Sequence, residues 1–585
     1  MVRRSLPLGP VLLIWLAISA GLIWSSWTQI TTLAGWDPDD QLRLVQLRDF
    51  LGGQSWFDNT QYRMNAPQGA LMHWSRLTEL PLALLVLIFS PFFGQAVAEM
   101  IAGTAVPLLL LGAIAYILAQ VATRLANAEA GIVAALLTLI TPVLLLQLRP
   151  MRIDHHGWQI FLAVLALWTM FWPDKRRGGL VLGIALAVWL HISLEGAPVT
   201  AAFFLLLGWR WIIEKAHGQR LMWTILSFAT VSILLFLGTQ SNPFAIYCDS
   251  ISPPHVAAIV MAAAVMMPAI AAKPEQRRWR LIASVAAAAV AFSVILLVAP
   301  QCAGGAFGGL DPLVREYWYI HISEGLPVWH QRWRDVLILM ATSVCGIVAL
   351  AALQTKSEGS TSKDIRLAGY FLIYTIALSL LVFRTAAVAA AFAIPLIAVW
   401  INNLFQRYRR SQIPAQRIGL VTLMMLLLVP GPLLIQLYSF GERITGSHPS
   451  VKTLATEVAT TACEAPTSVS ALAALPKARI VAPFDMGPAI LLTTPHQVLA
   501  SSHHRNKAGM RDHIEIFRSA PDTAMNIIAR RGITHLVVCA GESELGFYAR
   551  KDPIGLWAQL LKGKVPAWLE PMPDMGKGIK VWKVR

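Results

Sequence analysis

Charged side chains are scarce in this sequence, making up 14% of its 585 residues, where an ordinary soluble domain carries roughly 25%. With 56% of the residues apolar, that shortage excludes a purely water-soluble fold and points to a membrane protein. Acidic residues are the scarcer sign, 32 against 48 Lys and Arg, for a formal net charge of +16. On so apolar a chain the excess belongs first to topology-setting loops, so nucleic-acid binding is discounted. Cysteine is scarce too: the five present form no C-x-x-C pair and no metal-ligand spacing, which leaves no readable zinc module or disulfide scaffold. Repeats and low-complexity segments are absent. A small-residue cleavage site is also missing after the apolar run that follows Arg3 and Arg4, so this run reads as a retained first helix.

What the sequence does have is long apolar runs. They fall at about 8–26, 97–122, 130–149, 157–172, 179–194, 197–213, 221–239, 256–272, 281–299, 334–353, 366–383, 385–403 and 418–438, or about thirteen spans. The shorter run Pro81 to Gly94, broken by Ser90-Pro91, reads as interfacial or re-entrant. With the N-terminus in the cytoplasm, the inner loops are Asp174 to Arg177, Arg210 to Arg220, Lys273 to Arg280, Lys356 to Arg366 and Arg407 to Arg417, and each is basic. The expected fold is therefore mainly α: a polytopic helix bundle over residues 1–439 with a long first outer loop, 27–96, and an extracytoplasmic α/β domain over 440–585. In that tail, Ala478 to Val481 and His535 to Val538 read as strands, and Asp522 to Arg531 and Pro553 to Lys562 as helices. Cys463 and Cys539 fall in the tail, and Cys248 and Cys302 in outer loops, which leaves disulfides open in an oxidising compartment.

The unusual residues gather on the predicted outer face. Trp36-Asp37-Pro38-Asp39-Asp40 puts three carboxylates within four positions, and these repel unless solvated, paired or bridged by a cation. The bland alternative is a hydrated acidic turn. Arg149 to His156 clusters Arg152, Asp154, His155 and His156 between two spans; such clusters at a membrane edge are functional more often than not, although Arg and His also anchor helix ends to headgroups. Glu324 lies in His321-Ile322-Ser323-Glu324-Gly325, where a lone carboxylate is usually just hydrated. Arg384 sits between two apolar runs with almost no loop, and its planar donor fork suits a lipid phosphate. The tail adds Pro483-Phe484-Asp485-Met486-Gly487 and Ser501-Ser502-His503-His504-Arg505.

In order, these motifs resemble the catalytic subunit of oligosaccharyltransferase, a polytopic glycosyltransferase of the GT-C class. Asp37-Pro38, Arg43, Trp56-Phe57-Asp58 and Pro67-Gln68-Gly69 follow that family's first-loop pattern. Asp154-His155-His156 after Pro150 and Arg152 resembles its D-x-E motif, His321 to Glu324 its flexible-loop motif, Arg384 its late-helix arginine, and Pro483 to Gly487 its W-W-D-Y-G.

The resemblance implies an inverting transfer of a sugar or oligosaccharide from a polyprenyl phosphate or pyrophosphate carrier to an extracytoplasmic acceptor. It implies catalytic roles for Asp37, Asp154 and Glu324, a donor-phosphate clamp of Arg384 and Arg152, acceptor contacts from Phe484 and Asp485, and a divalent cation, Mn²⁺ or Mg²⁺, held by Asp37, Asp154 and His156. His156 stands where the family has Glu and suits Mn²⁺ better than Mg²⁺. Pro483 and Phe484 replace the family's paired tryptophans, so a sequon, another sugar, a lipid or a different protein residue all stay open as acceptor. Two alternatives remain: a polyprenyl-monophosphate-sugar transferase modifying a lipid or surface polysaccharide, and a flippase for lipid-linked sugar. Expected partners are the lipid-linked donor, membrane lipid and the acceptor. The expected location is the bacterial inner membrane, with the active site and tail in the periplasm.

Overall fold

A computed structural model describes the chain except residues 1–5, 7, 241, 356–358, 432, 437–464, 540–542, 574 and 576–577. Among the described residues each of the apolar runs is occupied by helix, with two helices in the run at 130–149 and Pro414–Leu428 over the first part of that at 418–438. Nine helices among the described residues are long and apolar enough to cross a membrane, or ten when the pair Ala128–Ile140 and Pro142–Leu148 counts as one span. The other apolar runs hold helices that are bent, basic at one end or short. Pro142 disfavours helical geometry at Thr141 before it, and the pair bends by 63°. Lys175, Arg176 and Arg177 fill the first turn of Lys175–Ile192, where Asp174 caps the helix by accepting from the amides of Arg176 and Arg177. His156–Thr169 and Pro414–Leu428 are apolar but short, and so is Leu80–Phe93, with Pro91 inside it.

The alanine-rich helix Ala386–Arg410 is the hub of the bundle, buried almost continuously from Ala386 to Val399. Small side chains let its backbone approach neighbours closely, which is how helices associate where lipid supplies no hydrophobic drive. It packs against Trp333–Gln354, Ala128–Ile140, Gly359–Leu381 and Gln95–Leu125.

The tail folds as expected, with β-structure between helices. Strands β3 (Arg479–Val481), β4 (Gln497–Val498), β5 (His535–Cys539), β6 (Leu569–Pro571) and β7 (Ile579–Val584) form one mixed sheet in the order β4-β3-β5-β7-β6; β1 (Thr60–Gln61) and β2 (Ala70–Leu71) make a hairpin in the first loop. β3 runs parallel to β4 and β5, with Ile480 opposite Val498 and His535, while β7 is antiparallel to β5 and β6. Tail and first loop are joined through backbone: the Asn65 amide donates to Val498 O and the Val498 amide to Arg63 O, both at 2.9 Å. Cys248 and Cys302 form a disulfide between the segment after Gly218–Thr239 and the one after Arg277–Val298. Cys463 and the start of the tail lie outside the described residues.

Candidate active site

The first loop enters the site through a helix start. Asp37 is the N-cap of Pro38–Leu51, its carboxylate accepting from the Asp40 amide at 3.1 Å, with Pro38 at the first helical position. The clustered carboxylates are tolerated because Arg152 is shared by two of them, Asp37 and Asp40, and the third, Asp39, turns to His503. Asp40 points back: its Oδ2 accepts from the Trp36 amide at 2.9 Å and Arg152 Nη1 at 3.0 Å, and its Oδ1 from the amides of Ile153 and Asp154 at 2.9 and 3.0 Å. Asp40 is thus the pin that fastens loop 149–155 to the first loop. A Cβ at Gly35 would lie 2.2 Å from Asp40 Cβ, so only glycine fits there. Asp37 is ion-paired with Arg152. Asp39 faces the cavity, with His503 Nε2 3.5 Å from its Oδ1.

Asp154 is the most enclosed of the predicted charged residues. Arg43 Nε donates to its Oδ1 at 2.7 Å, and His155 Nδ1 lies at the same distance. Arg43 is also held by Thr78 Oγ1 at 3.0 Å and lies over the Trp74 ring at 4.3 Å. Burial raises the Asp154 carboxyl, but His155 and Arg43 outweigh it and hold it well below the usual carboxylate range. Burial disfavours charge on His155, yet Asp154 beside it keeps it up at about 9. Asp154 Oδ2 is buried without a hydrogen-bond partner, and His156 Nε2 lies 3.3 Å from it. For Asp39, burial first and the Asp154 and Glu324 charges second push the carboxyl up to about 8.

Arg384 joins two loops. It is ion-paired with Glu195 and, through Nη2 at 3.1 Å, with Glu324. Arg384 holds the Glu324 carboxyl below its ordinary value, against the effect of burial. Arg384 Nε is buried and has no partner. Two cavities meet here, sharing His155, His156, Glu195 and Arg384. One, about 830 Å³, extends to Asp37, Asp39, Asp485, Ser502 and His503; the other, about 600 Å³, extends between Pro198, Leu378, Val382 and Val388 of the membrane helices.

In the tail, Asp485 lines the first cavity and accepts the Ser502 hydroxyl. Phe484 touches the same cavity but is 2% exposed, stacked on His513 at 4.0 Å, with its amide donating to Glu544 Oε2 at 2.8 Å. Burial, partly offset by the Ser502 hydrogen bond, pushes the Asp485 carboxyl up to about 6. The native state then holds a proton that the unfolded chain has released between roughly pH 4 and 6, so stability falls as pH rises through that window and is level above it. Asp485→Asn is expected to abolish this fall, raising the thermal midpoint relative to the parent at pH 8 and not at pH 4. Unfolding followed in detergent at both values checks this.

No family model matches the chain. A curated relative, dolichyl-phosphooligosaccharide-protein glycotransferase 2 of Archaeoglobus fulgidus, is 28% identical over 170 residues, or 29% of this chain and 27% of the relative. The chain therefore matches about a quarter of that relative's length. Among solved structures, archaeal oligosaccharyltransferase AglB from A. fulgidus, in complex with an inhibitory peptide and a dolichol-phosphate, superposes with a TM-score of 0.65 at 15% identity, covering 91% of this chain and 69% of that one. The fold is the GT-C oligosaccharyltransferase fold. A second A. fulgidus oligosaccharyltransferase structure, a complex with Zn and sulfate, gives 0.60 at 15% identity, covering 98% and 73%.

On this fold the structure gathers Asp37, Arg152, Asp154, His156, Glu324, Arg384, Phe484 and Asp485 around the joined cavities, directly or one contact away. It adds residues that sequence reasoning left out of the site: Glu195, Asp39, His155, His503 and the structural Arg43. Glu195 carried a readable signal, since it is a lone carboxylate between the apolar runs at 179–194 and 197–213. His503 stood in the Ser501 to Arg505 motif, but its approach to Asp39 depends on how the tail docks. That docking is fixed by Arg505, which holds Asp249 at 2.7 and 2.8 Å, with His504 Nε2 at 2.6 Å from the same carboxylate.

Proposed function

We propose that the chain is an inverting glycosyltransferase that moves a sugar or oligosaccharide from a polyprenyl phosphate or pyrophosphate carrier to an acceptor outside the cytoplasm. The observation that carries this reading is the meeting of two cavities at Arg384 and His156, one bordered by apolar membrane helices and one by the tail domain. A lipid-linked donor fits the first and a water-borne acceptor the second. The AglB structure, a complex with both a dolichol-phosphate and an inhibitory peptide, supports a lipid-borne donor together with a separate acceptor.

The departing phosphate gathers negative charge. Arg384, with Nε unpartnered and its two other nitrogens fixed by Glu195 and Glu324, is a preorganised donor for it. Glu324 and Asp37 line the acceptor cavity, where they would align the nucleophile's N–H or O–H. Both Asp37 oxygens are engaged, by Arg152 and by the Asp40 amide, which makes it a weak base and a firm positioner. Asp154 Oδ2 and His156 Nε2, an unpartnered carboxylate oxygen next to an imidazole nitrogen, fit a divalent cation. Bound there, such an ion would supply positive charge near the leaving phosphate. A periplasmic site in a bacterial inner membrane is favoured by the Cys248–Cys302 disulfide near the cavities and by the basic loops at the opposite helix ends.

The burial of Phe484 against His513 favours an acceptor other than an Asn-x-Ser/Thr sequon, including the sugar or lipid acceptor of a monophosphate-linked donor. Mass spectrometry of glycoconjugates from cells with and without the chain tests the reading. A glycan lost with the chain and restored by it is expected; flipped but untransferred donor would favour a transporter.

A further inference from the structure

Away from the site, the bundle holds a separate cavity of about 610 Å³ among four helices, Ala197–Ile213, Gly218–Thr239, Pro253–Ala271 and Arg277–Val298. Its lining is apolar apart from Ser284, and none of it borders the two cavities that meet at Arg384. The lining residues recur at helical spacing. Ala201, Leu205 and Trp209 form one stripe and Leu281, Val285 and Ala288 another, and both stripes are exposed. Leu221, Ile225 and Phe228 are buried, as are Ala258, Ala263 and Met266. The cavity is thus a groove whose rims face outward, on the first and last helices, and whose floor lies inside the bundle.

Small side chains keep it wide. Small residues on membrane helices ordinarily let backbones meet, yet a Cβ at Gly208 would find nothing within 4 Å. One end of the groove is basic. Arg280 is 4% exposed and closes that end, donating from Nε and Nη2 to Ile212 O at 3.1 and 2.9 Å, and both Ile212 and Leu281 line the groove. Arg277 and Arg278, one turn before Leu281, and Lys273, just past Pro253–Ala271, are exposed, and none is ion-paired with a carboxylate among the described residues. Trp209 and Trp279, 61% and 53% exposed, stand at the same end, as indoles do at headgroup level. Helix Ala197–Ile213 begins beside Glu195, the partner of Arg384, so the basic end is the one away from the active site.

We propose that this groove binds an anionic membrane phospholipid, with an acyl chain between Ala197–Ile213 and Arg277–Val298 and its phosphate against Lys273, Arg277 and Arg278. Charge complementarity selects the occupant. Basic clusters beside a gap between membrane helices take anionic headgroups, while the apolar floor takes hydrocarbon. The lipid-linked donor does not suit this groove, because in the reading above its phosphate goes to Arg384, at the opposite helix ends. The phospholipid also supplies packing to a helix short of it: 6% of the apolar window of Arg277–Val298 is buried inside the bundle.

The test uses the full chain, delipidated in detergent and offered equimolar phosphatidylglycerol and phosphatidylcholine of the same acyl chains, with bound lipid counted by native mass spectrometry. A parallel sample is offered phosphatidylglycerol and undecaprenyl phosphate. One tightly held lipid is expected, phosphatidylglycerol over phosphatidylcholine by more than about tenfold, as two or three basic side chains near a headgroup supply. The preference should shrink as salt rises. Lys273→Gln, Arg277→Gln and Arg278→Gln together, all on exposed side chains, should bring the two lipids within about twofold of each other. Gly208→Phe, which fills open space, should displace both and abolish the rise in thermal midpoint that phosphatidylglycerol gives the parent. Equal uptake of the two phospholipids by the parent would overturn the headgroup assignment. Phosphatidylglycerol binding unchanged in Gly208→Phe would overturn the groove as its site. Capture of undecaprenyl phosphate ahead of phosphatidylglycerol, lost in Gly208→Phe, would give the groove to the carrier lipid and overturn the proposal.

Discussion

Arg384→Gln is expected to lower the turnover of lipid-linked donor by about 10²–10³-fold, the usual cost of removing one preorganised donor to developing negative charge. The expectation follows from how this arginine is held. Its Nη atoms are spoken for by Glu195 and Glu324, while Nε is buried and unpartnered, so one donor has no competing protein partner before substrate arrives. Glutamine keeps some hydrogen-bonding capacity and loses the charge, leaving Glu195 and Glu324 to repel across the gap. Glu324 stands in the loop 300–333, so that repulsion should also disturb the acceptor side. Arg384→Lys separates the two effects. It restores charge without the planar fork, so it should recover loop order, read by limited proteolysis, more fully than it recovers kcat. Near-parent kcat in Arg384→Gln, measured in a single-turnover assay, would remove this residue from phosphate stabilisation.

How much of this was legible in the sequence differs from residue to residue. Asp37 and Pro38 are readable because an N-cap followed by proline is a local signal, and the helix duly starts there. Arg384 is readable for the opposite reason: a guanidinium between two apolar runs has nowhere to hide. The position of each helix was likewise legible, since apolar runs report burial in lipid directly. Span count was less so, because the bend at Thr141-Pro142 and the basic first turn at Lys175 are matters of geometry and charge that a run of apolar letters does not separate. The division of labour among Asp37, Asp39 and Asp40 was not legible. Three neighbouring carboxylates look alike in sequence and differ only because one turns to Arg152, one to Arg152 and the amides of Ile153 and Asp154, and one to His503, all more than a hundred residues distant. The pairing of Glu195 with Arg384, across 189 positions, belongs to the same class.

The second large effect is expected at Asp154, where folding and chemistry have to be told apart. Asp154→Asn removes one partner of a buried pair, since both Asp154 and Arg43 have side chains 1% exposed. Breaking such a pair from one side typically costs about 3–5 kcal/mol, because the remaining charge is stranded. The variant will therefore be less stable, and lost activity alone decides nothing. Arg43→Gln breaks the same pair from the other side, with a comparable loss of stability, yet leaves the Asp154 carboxylate and its unpartnered Oδ2 beside His156. Rates normalised to the folded fraction should then diverge, with Asp154→Asn down by about 10²–10³-fold and Arg43→Gln down by less than about 10-fold. Partial retention in Arg43→Gln is reasonable because His155, kept charged by Asp154, still faces the carboxylate at 2.7 Å. Equal losses in the two variants would mean that Asp154 serves only to hold Arg43 and the two loops together, and the chemistry would have to be sought among Asp37, Asp39 and Glu324.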